Sequence, residues 1–290
     1  TLLPNNKDIN GNKITEYDSF SLRCVSEEVR LRDQFSTRLI KDLKSQTTYD
    51  MKNSVLFLNG EFWGMYVITE KFSSEFFSSH YGIAKDDIVF IKEQDIKEGS
   101  EEIYTNLVNF MDLYSQKDLS DSKNYEDVSN TIDVDSLIDH YAINLYLATY
   151  DWPNHNFGLW KNNGNKIDGN EYSDGKWRFF MYDLDYTIGR TYADFGGVEG
   201  YQYDMFRHMD RAKNRAPTNL FVSLLKNEEF KSKFTKAFEE YANGILSADK
   251  GNALIQEYSN KVTDLIGYTQ SRWWGYFGGS RLENIAYAKN

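Results

Sequence analysis

Two groups of acidic and amide side chains follow apolar segments in the middle of this 290-residue sequence. Asp151 and Asn156 stand five positions apart, and Asp183 and Asp185 close a later run that is rich in aromatic residues. Carboxylate and amide oxygens are the ligands that Mg²⁺ prefers, because it is a hard cation. A further carboxylate that accepts a hydroxyl proton completes a phosphoryl-transfer site. The spacing therefore favours magnesium-dependent phosphoryl transfer.

Asp151 and Asn156 come directly after a long stretch of helical apolar periodicity. Asp151 is interpreted as the residue that orients or deprotonates an acceptor hydroxyl, and Asn156 as a metal ligand. The alternatives are an Asp that caps a turn at a helix end and an amide that bridges two loop backbones. His155 is interpreted as a packing residue.

Asp183 and Asp185 are one residue apart, so their side chains point to opposite faces if the strand before them continues. They converge only if the strand breaks into a loop, which the nearby Gly189 favours. Two close carboxylates repel each other, so a bound cation or a raised pKa must keep them together. A calcium site in this Gly-rich acidic loop and a solvated turn are the alternatives.

A phosphoryl-transfer site also needs a cation on the nucleotide phosphates. Lys71, which follows Glu70 at the end of a predicted strand, is the first candidate by position. Glu70 would support Lys71 or contact the nucleotide. Arg23 and Arg32 are alternative cations, although Arg32 and its neighbour Asp33 also suit a structural pair.

Composition excludes several classes of protein. The net charge of −11 argues against a nucleic-acid partner, because phosphate backbones require clustered Lys and Arg. No apolar run approaches the ~18 residues of a membrane span. One cysteine and four histidines exclude an intramolecular disulfide and a structural Cys/His zinc site, and Cys24 is expected to be a small buried residue. Because the chain starts at Thr1, we expect a mature form or a fragment.

Periodicity and turn residues predict a mixture of helices and strands in one fold with an internal cleft. Asn59-Gly60 predicts a hairpin with a type I′ turn, which requires positive φ at both central residues. A loop is predicted at 186–216. Strands are predicted at 19–24, 54–58, 62–69, 87–91, 157–161 and 176–182, and helices at 28–43, 74–81, 102–114, 133–150, 219–226, 228–245 and 249–275.

Several blocks together resemble the CotH family, the spore-coat-protein-H-like secreted kinases, over about residues 19–275 and in the order that the family has. The block that runs from Asn59 to Gly64 and the block from Tyr182 to Asp185 are fairly specific in combination. The quoted blocks are Ser19-Phe20-Ser21-Leu22-Arg23, Leu31-Arg32-Asp33, Leu56 to Tyr66, Glu70-Lys71, His80-Tyr81-Gly82, Asp151-Trp152-Pro153 with Asn156, and Trp177-Arg178 leading into Tyr182-Asp183-Leu184-Asp185.

The resemblance implies an α+β, atypical protein-kinase-like, two-lobed fold in a single domain, 1–290. Its reduced N-lobe, a helix plus a β-hairpin, would cover about 1–95, and a mainly helical C-lobe about 96–290. It also implies ATP- and Mg²⁺-dependent transfer to Ser or Thr of bacterial coat or surface proteins outside the cell, with Mn²⁺ or Ca²⁺ as other possible ions. The implied site has Asp151 as the catalytic residue, Lys71, Glu70 and Arg23 at the nucleotide, and Asn156, Asp183 and Asp185 at the metal.

The sequence also departs from ordinary protein kinases. It lacks the Gly-x-Gly-x-x-Gly loop, the Val-Ala-Ile-Lys strand, the His-Arg-Asp and Asp-Phe-Gly triplets and the Ala-Pro-Glu segment. Two other functions therefore stay open. One is a catalytically inactive protein that binds nucleotide or metal and assembles coat or surface proteins, and the other is an extracellular adhesion module that is stabilised by calcium.

Overall fold

A computed structural model describes residues 2–24, 31–188, 198 and 200–273. The described part is α+β, as predicted, and it contains two sheets. Its strands are β1 (Phe20–Cys24), β2 (Thr47–Thr48), β3 (Met51–Leu58), β4 (Glu61–Glu70), β5 (Ile88–Lys92), β6 (Asp95–Glu98), β7 (Phe157–Asn162) and β8 (Arg178–Met181). Its helices are α1 (Leu31–Ile40), α2 (Ser74–Tyr81), α3 (Glu101–Ser115), α4 (Ser122–Thr131), α5 (Val134–Tyr146), α6 (Met205–His208), α7 (Ala216–Leu224), α8 (Glu228–Asn243) and α9 (Ala248–Arg272).

The larger sheet has the order β2-β8-β7-β5-β6, with β2 parallel to β8 and the other pairs antiparallel. Both faces of its strand β5 are buried, since alternate residues point to opposite sides and four consecutive residues of β5 are buried. Val89 and Ile91 of β5 join the cluster under α3, α5, α7 and α8. Ile88 and Phe90 join a second cluster, which contains α2 and residues of the smaller sheet. The larger sheet therefore forms the centre of the fold.

The smaller sheet is antiparallel, with the order β1-β4-β3. The turn between β3 and β4 has φ values of 52° at Asn59 and 83° at Gly60, which confirms the predicted hairpin. In this sheet, Arg23 of β1 lies opposite Val67 of β4.

Helix α9 packs against β4 near the hairpin. Thr269 accepts a hydrogen bond from the backbone N–H of Met65 at 2.9 Å, and the Trp273 indole donates to the carbonyl of Trp63 at 2.7 Å. Gly64 lies between them with φ 132°, and a Cβ there would be 3.2 Å from Thr269 Cγ2. The close approach of helix and strand therefore requires glycine at this position.

Several predicted boundaries differ from the structure. The division predicted near residue 95 falls inside the larger sheet, since β5 and β7 are paired across it. The helix predicted at 133–150 ends at Tyr146. The helices predicted at 28–43 and 249–275 are described from Leu31 and to Arg272, and residues 28–30, Gly189 and 274–275 lie outside the described residues. Although α9 spans 25 residues, it and the other described helices are not apolar enough to cross a membrane.

Gly158 of β7 gives a test of the packing in the larger sheet. It lies opposite Phe180 of β8, and a Cβ at Gly158 would be 2.1 Å from an atom of that buried ring. We expect Gly158→Ala to lower the free energy of unfolding by about 3 kcal/mol, because the ring has no free space to move into. Urea unfolding measures the change.

Gly251→Ala is the matched control, because Gly251 lies in α9 and a Cβ there would make an ordinary contact of 3.6 Å with Phe35. Helix propensity should then raise stability by up to about 1 kcal/mol. Equal destabilisation by both changes would contradict the packing argument.

Asp139 of α5 makes stability depend on pH. It is buried and accepts hydrogen bonds from the hydroxyls of Ser45 and Tyr241, and burial raises its pKa to about 6. The folded state therefore binds more protons than the unfolded state between pH of about 4 and 6. The contribution of Asp139 should fall by about 3 kcal/mol as the pH rises through this window, and Asp139→Asn should remove that slope. Urea unfolding at several pH values tests this, with Asp168→Asn, which removes an exposed carboxylate from a turn, as control.

Candidate active site

The segment that carries Asp151 begins where α5 ends. The helix stops at Tyr146, and Ala148 has a left-handed φ of 51° that turns the chain away. Trp152 is buried, and its indole N–H donates to Nε2 of His140 on α5 at 3.0 Å. Burial lowers the pKa of His140 to about 3, so this imidazole stays neutral and accepts the bond. This hydrogen bond therefore anchors Trp152, the residue that follows Asp151.

The residue before Asp151, Tyr150, is fixed through its backbone. Its N–H donates to the carbonyl of Tyr186 at 2.9 Å, which ties this segment to the loop after β8. Its carbonyl accepts from His208 Nε2 at 2.8 Å and from Arg211 at 3.4 Å. Burial lowers the pKa of His208 to about 4, with Arg211 contributing. Asp151 is thus held between two anchored neighbours.

Strand β8 breaks before Asp183, as the metal interpretation requires. The strand ends at Met181, and Asp183 has a left-handed φ of 59°. Its N–H donates to the Tyr49 hydroxyl at 2.9 Å, and its carboxylate accepts from Arg23 at 2.7 Å. The Asp183 side chain is about one-third exposed, which leaves it accessible to a ligand.

Asp33 of α1 lies beneath this loop with 3% exposure. Its carboxylate accepts hydrogen bonds from the Leu184 N–H at 2.9 Å, the Tyr49 hydroxyl at 3.2 Å and Arg23 at 3.2 Å. Burial, followed by the charge of Asp183, raises the pKa of Asp33 despite these donors. Sequence reasoning considered Asp33 only as a partner of Arg32.

Arg23 of β1 bridges the carboxylates of Asp33 and Asp183. Burial alone would lower the pKa of its guanidinium, but the charge and hydrogen bond of Asp183 outweigh this and raise it. A strand cation paired with a helix carboxylate is also the arrangement that positions nucleotide phosphates in protein kinases.

Lys92 is a second cation near Asp183, and sequence reasoning missed it. Its ammonium lies 3.8 Å from the ring centroid of Tyr182. Burial lowers the pKa of Lys92, while the charge of Asp183 opposes the shift. The available signal was a basic residue directly after the apolar strand predicted at 87–91.

The pKa of Asp185 is raised by burial and by other carboxylates of the site. Burial raises this pKa to about 7, and the charges of Asp183, Asp33 and Asp151 add to this. The segments that carry these carboxylates are joined by hydrogen bonds from the Tyr150 N–H to the Tyr186 carbonyl and from Asn156 Nδ2 to the Asp183 carbonyl, and the buried Asp33 accepts from the Leu184 N–H. The carboxylates of these segments outnumber the cations Arg23 and Lys92, and such an excess of negative charge suits a divalent cation.

Asn156 completes the set of oxygen donors. It has a left-handed φ of 60°, and its Nδ2 donates to the carbonyl of Asp183 at 3.4 Å. Its Oδ1 accepts no hydrogen bond from the described residues. Within those residues no three His, Cys, Asp or Glu side chains are arranged to hold a metal by themselves. The donors fit Mg²⁺, because this ion is usually bound through one or two carboxylates while substrate phosphates and water supply the other oxygens.

Comparison with known proteins gives the family of this chain. The family model described as CotH kinase protein matches residues 3–287. The chain belongs to the CotH kinase family. No curated protein matches it. The resemblance stated from the sequence is thereby confirmed, and the family is one of kinase-like enzymes.

In this CotH kinase family member, Glu70 and Lys71 make no hydrogen bond or ion pair with Asp151, Asp183 or Asp185 among the described residues. Arg23 lies opposite Val67 in the sheet, and Glu70 is three residues further along β4, so it projects from the opposite face. There the buried Glu70 accepts hydrogen bonds from Asn6 at 2.7 Å and from His80 at 2.9 Å. Lys71 is exposed beyond the end of the strand. The contacts therefore do not support the nucleotide role predicted for these two residues.

The Arg23 bridge can be tested through stability. We expect Arg23→Gln to lower the free energy of unfolding by about 2 kcal/mol, because Asp33 stays buried without its charged partner and Arg23 itself is only one-third exposed. Arg38→Gln is the control, since Arg38 is about as exposed as Arg23 but its partner Asp42 is largely exposed, whereas Asp33 is buried. Its loss should change stability by less than about 0.5 kcal/mol. Similar effects of both changes in urea unfolding would contradict the bridge.

Proposed function

We propose that this chain transfers the γ-phosphoryl group of ATP to a Ser or Thr hydroxyl of a secreted or surface protein. One observation carries the proposal. Asp151 lies in one segment and Asp183 and Asp185 in a later one, and hydrogen bonds from Tyr150 to Tyr186 and from Asn156 to Asp183 join the two segments. Arg23 binds Asp183, and the charge of Asp183 acts on Lys92.

Asp151 is the proposed residue that orients the acceptor hydroxyl and accepts its proton. Its two neighbours are anchored, so its backbone is held in place before substrate binds. Such positioning lowers the entropy that the reaction must lose at the transition state. A base of this kind contributes typically about 10²- to 10⁴-fold to the rate.

Asn156 and Asp183 are the proposed metal ligands, with Asp185 as the alternative second carboxylate. When bound, Mg²⁺ neutralises charge on the phosphate oxygens. Asn156 donates through Nδ2 to the Asp183 backbone, so the orientation of its amide is already set with Oδ1 as the ligating atom.

Arg23 and Lys92 are the proposed phosphate-binding cations. Arg23 is held by Asp33 from a different element, as the strand cation is held by the helix carboxylate in protein kinases. Lys92 lies against the ring of Tyr182, and burial lowers its pKa while the charge of Asp183 opposes the shift. Lys92 is therefore near Asp183, the residue that Arg23 binds. Arg23 therefore takes the role that the sequence first suggested for Lys71.

Family membership supports a coat or surface protein as the acceptor. It also supports a location outside the cell. The net charge of −11 makes a nucleic acid a poor partner.

Labelled ATP tests the proposal. The protein is incubated with γ-labelled ATP and Mg²⁺ or Mn²⁺, with casein as a generic acceptor, and the phosphorylated sites are mapped. We expect label on Ser or Thr, reduced at least about 100-fold in Asp151→Asn because the proton acceptor is lost. Asp183→Ala should lose label as well, because it removes a metal ligand.

Asp168→Asn is the control, since Asp168 is an exposed acidic residue in a turn. It should label as the wild type does. Absence of label from the wild type, combined with no thermal shift from ATP and metal, would favour a binding protein and overturn the proposal. A thermal shift from Ca²⁺ alone would then favour the adhesion module.

A further inference from the structure

Glu93 lies in the turn between β5 and β6, beside Lys92. Its backbone has a left-handed φ of 58°, and its N–H donates to the carbonyl of Phe157 at 2.9 Å. One carboxylate oxygen accepts a hydrogen bond from the backbone N–H of Asn156 at 3.2 Å. The other lies 3.2 Å from Nδ1 of His155. Both oxygens are thus directed at the segment that follows Asp151.

The contact matters because of the backbone of Asn156. A left-handed conformation is unfavourable for most residues with a side chain, and although Asn tolerates it better than most, hydrogen bonds are needed to fix it in one arrangement. Glu93 binds the Asn156 main chain, while the Asn156 side chain binds the carbonyl of Asp183. The two bonds together fix the position of Oδ1.

We propose that Glu93 is a positioning residue that sets the conformation of Asn156 and thereby the affinity for the divalent cation. This inference rests on the proposed function, in which Asn156 is a metal ligand. Residues that orient metal ligands typically change metal affinity by about 10- to 100-fold when they are removed. Two neighbouring residues then contribute to the site: Lys92, at the end of β5, as a phosphate-binding cation, and Glu93, in the following turn, as the residue that positions a metal ligand.

The test is an EPR titration of the full chain with Mn²⁺ at saturating ADP, together with the melting temperature of each variant. We expect Glu93→Ala to weaken Mn²⁺ binding about 10-fold or more, because Asn156 loses the acceptor for its N–H. Glu93→Gln keeps an acceptor oxygen and should retain most of the affinity. Glu98→Ala removes an exposed carboxylate from β6 and should bind as the wild type does.

Asp183→Ala separates the two hypotheses. If it loses Mn²⁺ while Glu93→Ala binds normally, the role of Glu93 is wrong and the proposed function stands. If Asp183→Ala itself binds normally, the proposed metal site is wrong, and the role of Glu93 with it. If Glu93→Gln is as weak as Glu93→Ala, the charge and not the hydrogen bond is needed, which overturns positioning. Should Glu93→Ala not fold, Glu93→Asp replaces it, because the shorter side chain should lose the hydrogen bond to the Asn156 N–H, and wild-type Mn²⁺ affinity in that variant would contradict the positioning role.

Discussion

The burial of one carboxylate, Asp33, constrains the whole region around the candidate site. A carboxylate with 3% exposure is strongly unfavourable unless it is paired and hydrogen-bonded. Its partners come from separate segments: Arg23 from β1, the Tyr49 hydroxyl from the segment before β3, and the Leu184 N–H from the loop after β8. Satisfying Asp33 therefore brings these segments to one place. Because Arg23 also binds Asp183, the same requirement determines where the accessible carboxylate of the site lies.

Much of the fold follows from local sequence. The Asn59-Gly60 turn and the alternating apolar residues of the strands were sufficient to predict the hairpin and most of the sheets. Helix α4 was missed because it buries only Tyr125 and Val128, too few apolar residues to show a periodicity. Its start at Asp121, whose side chain accepts from two backbone N–H groups, was the available signal.

The site was predictable where one segment supplies the geometry and not where several must combine. The break after β8 and the turn at Asp151 follow from neighbouring residues, so Asp183 and Asp151 could be proposed directly. The choice between Arg23 and Lys71 depended on the register of β1 against β4, which decides the face from which each side chain projects. A lone sequence does not reveal that register. The polar residues Arg32, Asp33 and Gln34 within a predicted helix were the available signal that this helix contributes a buried charged group.

The packing of α9 on the hairpin affects how the chain folds during its synthesis. The hydrogen bond between Met65 and Thr269 joins residues 204 positions apart in the sequence. At about 5–20 residues per second, ribosomal synthesis separates them by roughly 10 to 40 s. During that interval the hairpin exists without the helix that covers it, and Phe57 and Leu58 at its tip stay exposed even in the finished fold. A nascent chain in this state presents apolar surface and unpaired strand edges, which makes it a natural client for a chaperone.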